Sequence, residues 1–354
     1  MNFLLSPEQL EFQTTVQRFL DDLCPATRLH ELFDRGEHDP ALWHAMCELG
    51  LAGIALPEAH GGAGMEMIDL ALVAETLGSR AAPGPFLGHA LAGLAIAWGG
   101  SDAQKARWLP ALASGEKLAS VALAEEGGWQ PEQWGLSGKG GTLSGCKRHV
   151  PFAADADLLV VGLADGGLAL VERGAEGLSV EVENGVDRTR AMATVGFSAT
   201  PAERLEGACR EVVERLRDAA LVLLAADAFG GAARCVEMAV DYAKIREQFG
   251  QPIGRFQAVK HQLANMAVEI EPARGLYWYA AHAFDHVPAD AARYAALAKA
   301  HLADRFLQVA RDTVEVHGGI GYTWECDVQI YLKRAMFDFA WMGNPQEQRR
   351  RIHL

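Results

Sequence analysis

Cysteine is sparse in this chain and does not cluster. The six cysteines stand at 24, 47, 146, 209, 235 and 326, with no CxxC pair and no short Cys/His group. That argues against a disulfide framework or a zinc site and suits a reducing compartment. Positive charge is also short: 32 Lys and Arg face 46 Asp and Glu, for a net charge of −14. Nucleic acids and anionic membranes both select basic faces, so neither is expected as a partner. No segment approaches the roughly 20 uninterrupted apolar residues of a membrane span. The most apolar window, Ala219 to Ala228, contains Asp227 and reads as a buried helix. Met1 to Pro7 shows no basic region followed by a long apolar run, so no signal peptide is read there, and a cytoplasmic location is expected. There is no Walker loop, and no Gly-x-Gly-x-x-Gly opens a helix after a strand.

What is present divides into three textures, an α+β multidomain arrangement. Residues 1–117 read as a helical domain. Ser6-Pro7-Glu8-Gln9 combines a hydroxyl N-cap, a first-turn proline and a capping-box glutamine, and Phe12, Val16, Phe19, Leu20 and Leu23 follow at helical spacing. Further helices are expected over 40–49, 68–77 and 104–112, with a glycine-rich loop over 57–64. Residues 118–207 read as a small β domain, with short apolar runs at 118–123, 141–144, 158–163, 168–172, 178–182 and 193–197 separated by glycine-bearing turns. Residues 208–354 read as a helical bundle with long helices over 212–248, 256–284 and 290–317. Gly230-Gly231 lies inside the first of these. Each glycine costs a helix about 1 kcal/mol against alanine, which predicts close packing against another helix or a ligand. The order is not a βαβ alternation, so a doubly wound dinucleotide fold is not expected.

Two segments carry the chemistry. Arg246-Glu247-Gln248-Phe249-Gly250 offers a guanidinium fork and an apolar wall, and His317-Gly318-Gly319-Ile320-Gly321-Tyr322-Thr323-Trp324-Glu325 offers bare main chain. A guanidinium and glycine N–H groups suit a phosphate. Taken singly, each has a plainer explanation: a surface ion pair of Arg246 with Glu247 or Asp241, a core phenylalanine, and a helix C-cap at the diglycine. His317 reads as a satisfied polar group.

Together these segments resemble the flavin-binding signatures of the acyl-CoA dehydrogenase family. The resemblance continues through Leu42-Trp43 to Gly53, Leu56-Pro57-Glu58, Gly61 to Gly64, Leu143 to Lys147, Ala154 to Asp157, Asp187 to Arg190, and Tyr242 to His261. It implies a helical N-terminal domain, a middle β domain, a C-terminal four-helix bundle, and FAD held between subunits of a tetramer. It further implies that Arg246, Gln248, Phe249 and Gln257 come from one chain, while Glu315, Gly318 and Gly319 come from its partner. Acyl-CoA would be the substrate and electron-transfer flavoprotein the acceptor.

The family's reaction is α,β-dehydrogenation of an acyl-CoA thioester, which needs a carboxylate to remove a weakly acidic α-proton. The family's two positions for that glutamate fall here on Met342 and Ala220, and neither side chain takes a proton. The flavin loop is reduced to Ala124-Glu125-Glu126-Gly127-Gly128, and His149-Val150-Pro151 replaces the strand that packs on the flavin ring. Among other carboxylates, Asp227 lies in apolar helix, where burial raises a carboxyl pKa; a structural aspartate is the competing reading. Glu125 and Glu126 lie on the loop expected to line the acyl cleft. Asp218 matches a position associated with the CoA moiety. The chain therefore resembles the base-less subunit of the α2β2 acyl-CoA dehydrogenases of bacterial steroid side-chain catabolism. A homotetramer with a relocated base, such as Asp227, and a non-enzymatic scaffold subunit remain as alternatives.

Overall fold

The computed structural model describes residues 4–36 and 39–352. In chain order the elements are α1 (Pro7–Leu23), α2 (Ala26–Arg35), α3 (Pro40–Glu48), α4 (Met67–Ser79), α5 (Phe86–Gly99) and α6 (Asp102–Ala113), followed by β1 (Ala119–Ala122), β2 (Thr142–Pro151), β3 (Leu158–Gly162), β4 (Leu168–Glu172), β5 (Leu178–Glu183), β6 (Met192–Pro201) and β7 (Glu203–Arg204). Then come α7 (Arg210–Ile245), the short strands β8 (Glu247–Gln248) and β9 (Gln251–Pro252), α8 (Gln257–Ile270), α9 (Arg274–His286), α10 (Pro288–His317), α11 (Val328–Ala340) and α12 (Pro345–Ile352). The expected order of helices, strands and helices is observed. The expected single helix over 256–284 is two, α8 and α9, joined by a 3-10 turn at Glu271–Ala273. Pro272 lacks the N–H that a continuous α-helix would need there.

By compactness the chain forms two units that cut across the three textures. One comprises 1–34, 71–82 and 221–354; the other comprises 35–70 and 83–220. α4 and α7 each contribute to both.

In the second unit the strands form two sheets, ordered β1-β3-β4-β7 and β2-β6-β5. All pairings are antiparallel except β1 with β3. Leu136, Leu143, Val150, Leu159, Val161, Val171, Val195 and Phe197 form their shared core. Strand β2 shifts register between Lys147 and Val150, and His149 inside that shift has φ +53°. The helical part of this unit is fastened by His89. Its Nε2 lies 3.0 Å from the Leu112 carbonyl and its Nδ1 3.3 Å from the Ala119 N–H. The Ala119 N–H can only donate, so Nδ1 accepts and the ring is the neutral Nε2–H tautomer.

In the first unit, α10 packs against α8, α9, α11 and α12. Its contact with α7 depends on a glycine: a Cβ on Gly231 would stand 2.3 Å from Phe306 Cζ. One residue earlier, a Cβ on Gly230 would stand 1.9 Å from the Glu75 carbonyl oxygen of α4. The diglycine is thus explained by helix–helix approach on two sides, with no ligand required. By length and composition α7 passes as a membrane-crossing helix, but 83% of its apolar window is buried within the chain.

Two expected outcomes follow from this packing. Gly230→Ala pushes a methyl into backbone that cannot yield, and lowers stability by roughly 2–4 kcal/mol in thermal or denaturant unfolding. His89 is fully buried, and desolvation lowers its pKa from 6.5 to about 4, against the smaller opposing effect of its backbone hydrogen bonds. Between those values the unfolded chain binds the proton and the folded chain does not. The stability present above pH 6.5 is therefore lost as pH falls toward 4, by about 3 kcal/mol from this residue. Urea midpoints at pH 7 and pH 4.5, compared between the parent chain and His89→Gln, check the value.

Candidate active site

The segment expected to meet a dinucleotide is built on the last turn of α7 and the hairpin beyond it. α7 ends at Ile245, and β8 and β9 form a minimal hairpin pairing Glu247 with Pro252 and Gln248 with Gln251. Phe249 and Gly250 are its two turn residues, with φ +53° and +76°. Both have the positive φ that a tight two-residue hairpin turn demands. The Ile253 N–H donates to the Arg246 carbonyl at 2.7 Å and fixes the hairpin base. Arg246 is exposed. Among the described residues its guanidinium forms no ion pair, since nearby Asp241 is taken by Lys244 at 3.1 Å. Gln248 Nε2 donates to the Glu247 carbonyl at 2.7 Å. Phe249 is 94% exposed, with only an edge contact to Phe256.

The end of α10, which leads into the glycine segment, packs on α7 and α8. Tyr242, one turn before Arg246, stacks on His317 with ring centroids 4.3 Å apart. Gln262 of α8 donates to Glu315 at 3.2 Å. These contacts fix the end of α10 within its own chain; the shared arrangement that the resemblance implies, Arg246 from one protomer and Gly318-Gly319 from its partner, involves a second chain and is compatible with them. His317 is the satisfied group it was read to be: its Nδ1 lies 2.8 Å from the Thr313 carbonyl, and burial lowers its pKa despite that bond. Gly318 has φ +63° and ψ −140°, a conformation essentially confined to glycine. Gly319 has no positive φ, and nothing lies within 4 Å of where its Cβ would be. No contact inside the chain requires glycine at 319, which leaves bare main chain free for a ligand's close approach. Arg246, Gly318 and Gly319 therefore fit a diphosphate. Gln257 is exposed at the first turn of α8. Trp324 of the same segment serves packing: it lies against Phe33 of α2 at 5.5 Å, with Lys333 over its ring at 4.2 Å.

The segments that the resemblance assigns to the flavin ring, 124–128 and 149–151, make contacts of their own. His149 Nδ1 lies 2.8 Å from Glu183, whose other oxygen accepts from the His149 N–H at 3.1 Å and from Thr194 at 2.8 Å. The imidazole stacks on Trp129, with centroids 6.1 Å apart. Glu125, expected on the acyl cleft, is turned inward. It accepts from Lys147 at 2.7 Å and from the N–H groups of Gly135 at 2.6 Å and Leu136 at 3.2 Å. Burial alone would raise its pKa, but Lys147 and those N–H groups outweigh it and the pKa is lowered. Both Glu125 oxygens are thus engaged by groups of the chain itself. Glu126 is exposed. Asp218 is 6% exposed and pairs with the Arg217 guanidinium at 3.3 Å.

The base positions hold no acid. Ala220 is fully buried. Met342 is 1% exposed, with φ +60° and its carbonyl bonded by Gln348 Nε2 at 2.8 Å. Asp227 is held by a partner 107 residues away. Arg334 Nε and Nη2 donate to its two oxygens at 2.9 and 2.6 Å, and Nη1 donates to the Ala82 carbonyl at 3.1 Å. A base must offer an oxygen to the proton it removes; both oxygens of Asp227 are bonded to a guanidinium, in a site 4% exposed. The carboxylate weighed as a relocated base is therefore a structural one. Arg334 carried no signal in sequence beyond its charge.

Family descriptions match two parts of the chain: "Acyl-CoA dehydrogenase, N-terminal domain" over residues 6–116 and "Acyl-CoA dehydrogenase, C-terminal domain" over residues 211–353. The chain belongs to the acyl-CoA dehydrogenase family. It is 33% identical to the acyl-CoA dehydrogenase IpdE2 of Mycolicibacterium smegmatis, over 89% of this chain and 88% of that protein. It is 34% identical to IpdE2 of Mycobacterium tuberculosis, over 92% and 90%. Among solved structures, the Tcur3481-Tcur3483 steroid acyl-CoA dehydrogenase variant superposes with a TM-score of 0.89 at 32% identity, covering 98% of this chain and 96% of that one. The ChsE4-ChsE5 complex of Mycobacterium tuberculosis superposes with a TM-score of 0.89 at 26% identity, covering 100% and 98%. Members of the family are flavoprotein oxidoreductases acting on CH–CH bonds, and FAD is their cofactor.

The Asp227 assignment is open to measurement. Asp227→Ala strands the Arg334 guanidinium in the core and lowers stability by about 3–5 kcal/mol. A catalytic aspartate would instead lose activity at unchanged stability, which denaturant unfolding distinguishes.

Proposed function

We propose that the chain is one subunit of a heteromeric, FAD-dependent acyl-CoA dehydrogenase whose homologous partner supplies the catalytic glutamate. The observation that carries this reading is a mismatch within one molecule. Arg246, Gly318 and Gly319 are exposed and of a kind that suits a diphosphate, while Ala220 and Met342 stand where the resemblance puts the base and Asp227 is tied to Arg334. Two of the solved relatives bear paired names, Tcur3481-Tcur3483 and ChsE4-ChsE5, which supports a two-chain particle. The steroid label of the first supports a bulky, steroid-type acyl-CoA as substrate.

In this arrangement the chain's own residues bind and orient. Arg246 neutralises phosphate charge, the main chain at Gly318-Gly319 donates hydrogen bonds, and Phe249 closes an apolar wall. What FAD brings when bound is the hydride acceptor; the α-proton goes to the partner's carboxylate. Electron-transfer flavoprotein is the acceptor that the family resemblance supplies.

The test is the visible spectrum of the chain purified alone and after co-expression with a homologue that keeps the glutamate. The expected result is a colourless chain alone and a yellow, active complex. A yellow chain, reducible by acyl-CoA without a partner, replaces this reading with a self-sufficient homotetramer. A colourless product in every pairing replaces it with a scaffold. Within the complex, Arg246→Ala is expected to lower flavin retention by about tenfold or more, equivalent to the loss of one charge-assisted bond, while the unfolding midpoint of the chain stays unchanged.

A further inference from the structure

The loop between β1 and β2 is long and glycine-rich, yet it is tied at both ends to one buried charge. Ala124 bridges to Arg148, whose N–H donates to the Ala124 carbonyl at 2.9 Å. Glu125 and Gly128 exchange main-chain bonds at 3.1 and 3.0 Å, forming a tight turn. At the far end the Glu125 carboxylate holds the N–H groups of Gly135 and Leu136. The whole clamp rests on Lys147 of β2, whose side chain has no exposed surface. Its Nζ donates to Glu125 at 2.7 Å and lies 4.2 Å from the centre of the Trp134 ring. Trp134 in turn sits where a Cβ on Gly162 would stand 2.5 Å from its ring. The ammonium thus has a carboxylate on one side and an indole face on the other, and few other routes to compensation. Midway along the loop, Trp129 stacks on His149.

We propose that Lys147, acting through Glu125, is a positioning residue that straps the 126–134 loop closed and thereby holds Trp129 in its stack on His149. This face of the β unit is preset by the strap and does not form around a bound molecule. The strap is a property of this chain's own fold and stands whether or not the partner supplies the base.

Hydrogen exchange on the folded chain, residue by residue, tests it with Lys147→Met and Glu125→Gln. The expected result is a local change: the amides of Gly128, Gly135 and Leu136 exchange about tenfold faster or more, while the β2–β6 ladder keeps its parental protection. In parallel, the part of the tryptophan emission assigned to Trp129 by comparison with Trp129→Phe shifts toward that of a solvated indole. Parental exchange at those amides in a folded Lys147→Met overturns the proposal. So does an equal acceleration across β2 and β6, or failure of both variants to fold, since each makes the pair a general support of the core and not a strap on one loop.

Discussion

One buried ion pair organises the bundle unit. Asp227 sits midway along α7 and Arg334 midway along α11, and both are almost wholly out of water. Removing two charges from water costs several kcal/mol each, and only close geometry with further hydrogen bonds offsets that. The pair meets the condition: two parallel bonds join the ions, and the third guanidinium nitrogen reaches the Ala82 carbonyl beyond the end of α4. Three segments far apart in sequence are registered against one another at a single point. Gly230, one turn further along α7, lets the same helix lie directly on α4 backbone.

That pair also decides the chemistry. In a helix this apolar, an aspartate would be the natural site for a displaced base, and the pairing removes it. With Ala220 and Met342 at the two positions the resemblance implies, none of these three residues offers a free carboxylate. Lys299 of α10 caps the end of α11 by donating to the Asp338 carbonyl, with the Phe339 carbonyl 3.4 Å away.

Much was legible in the sequence. Six short apolar runs marked six of the strands, and the Ser6–Gln9 capping box started α1 as read. What escaped did so for physical reasons. Pro272 breaks a helix whose apolar periodicity continues across it. The start of α6 lies a little before the expected 104, because a second capping box, Ser101 with Gln104, opens the helix there. Glu125 looked like a cleft residue because a lone glutamate on a glycine-rich loop is usually solvated; only the fold shows a buried lysine beneath it.

Residue identity and local spacing were enough to specify the family resemblance, the order of helical and β segments and the lack of an acid at positions 220 and 342. None of these needs to know what lies across the fold. Three-dimensional packing was required to show that Asp227 belongs to Arg334 and that Glu125 belongs to Lys147. Each of those is a pairing between residues distant along the chain. A charge's role is set by what neutralises it, and that neighbour is chosen by packing.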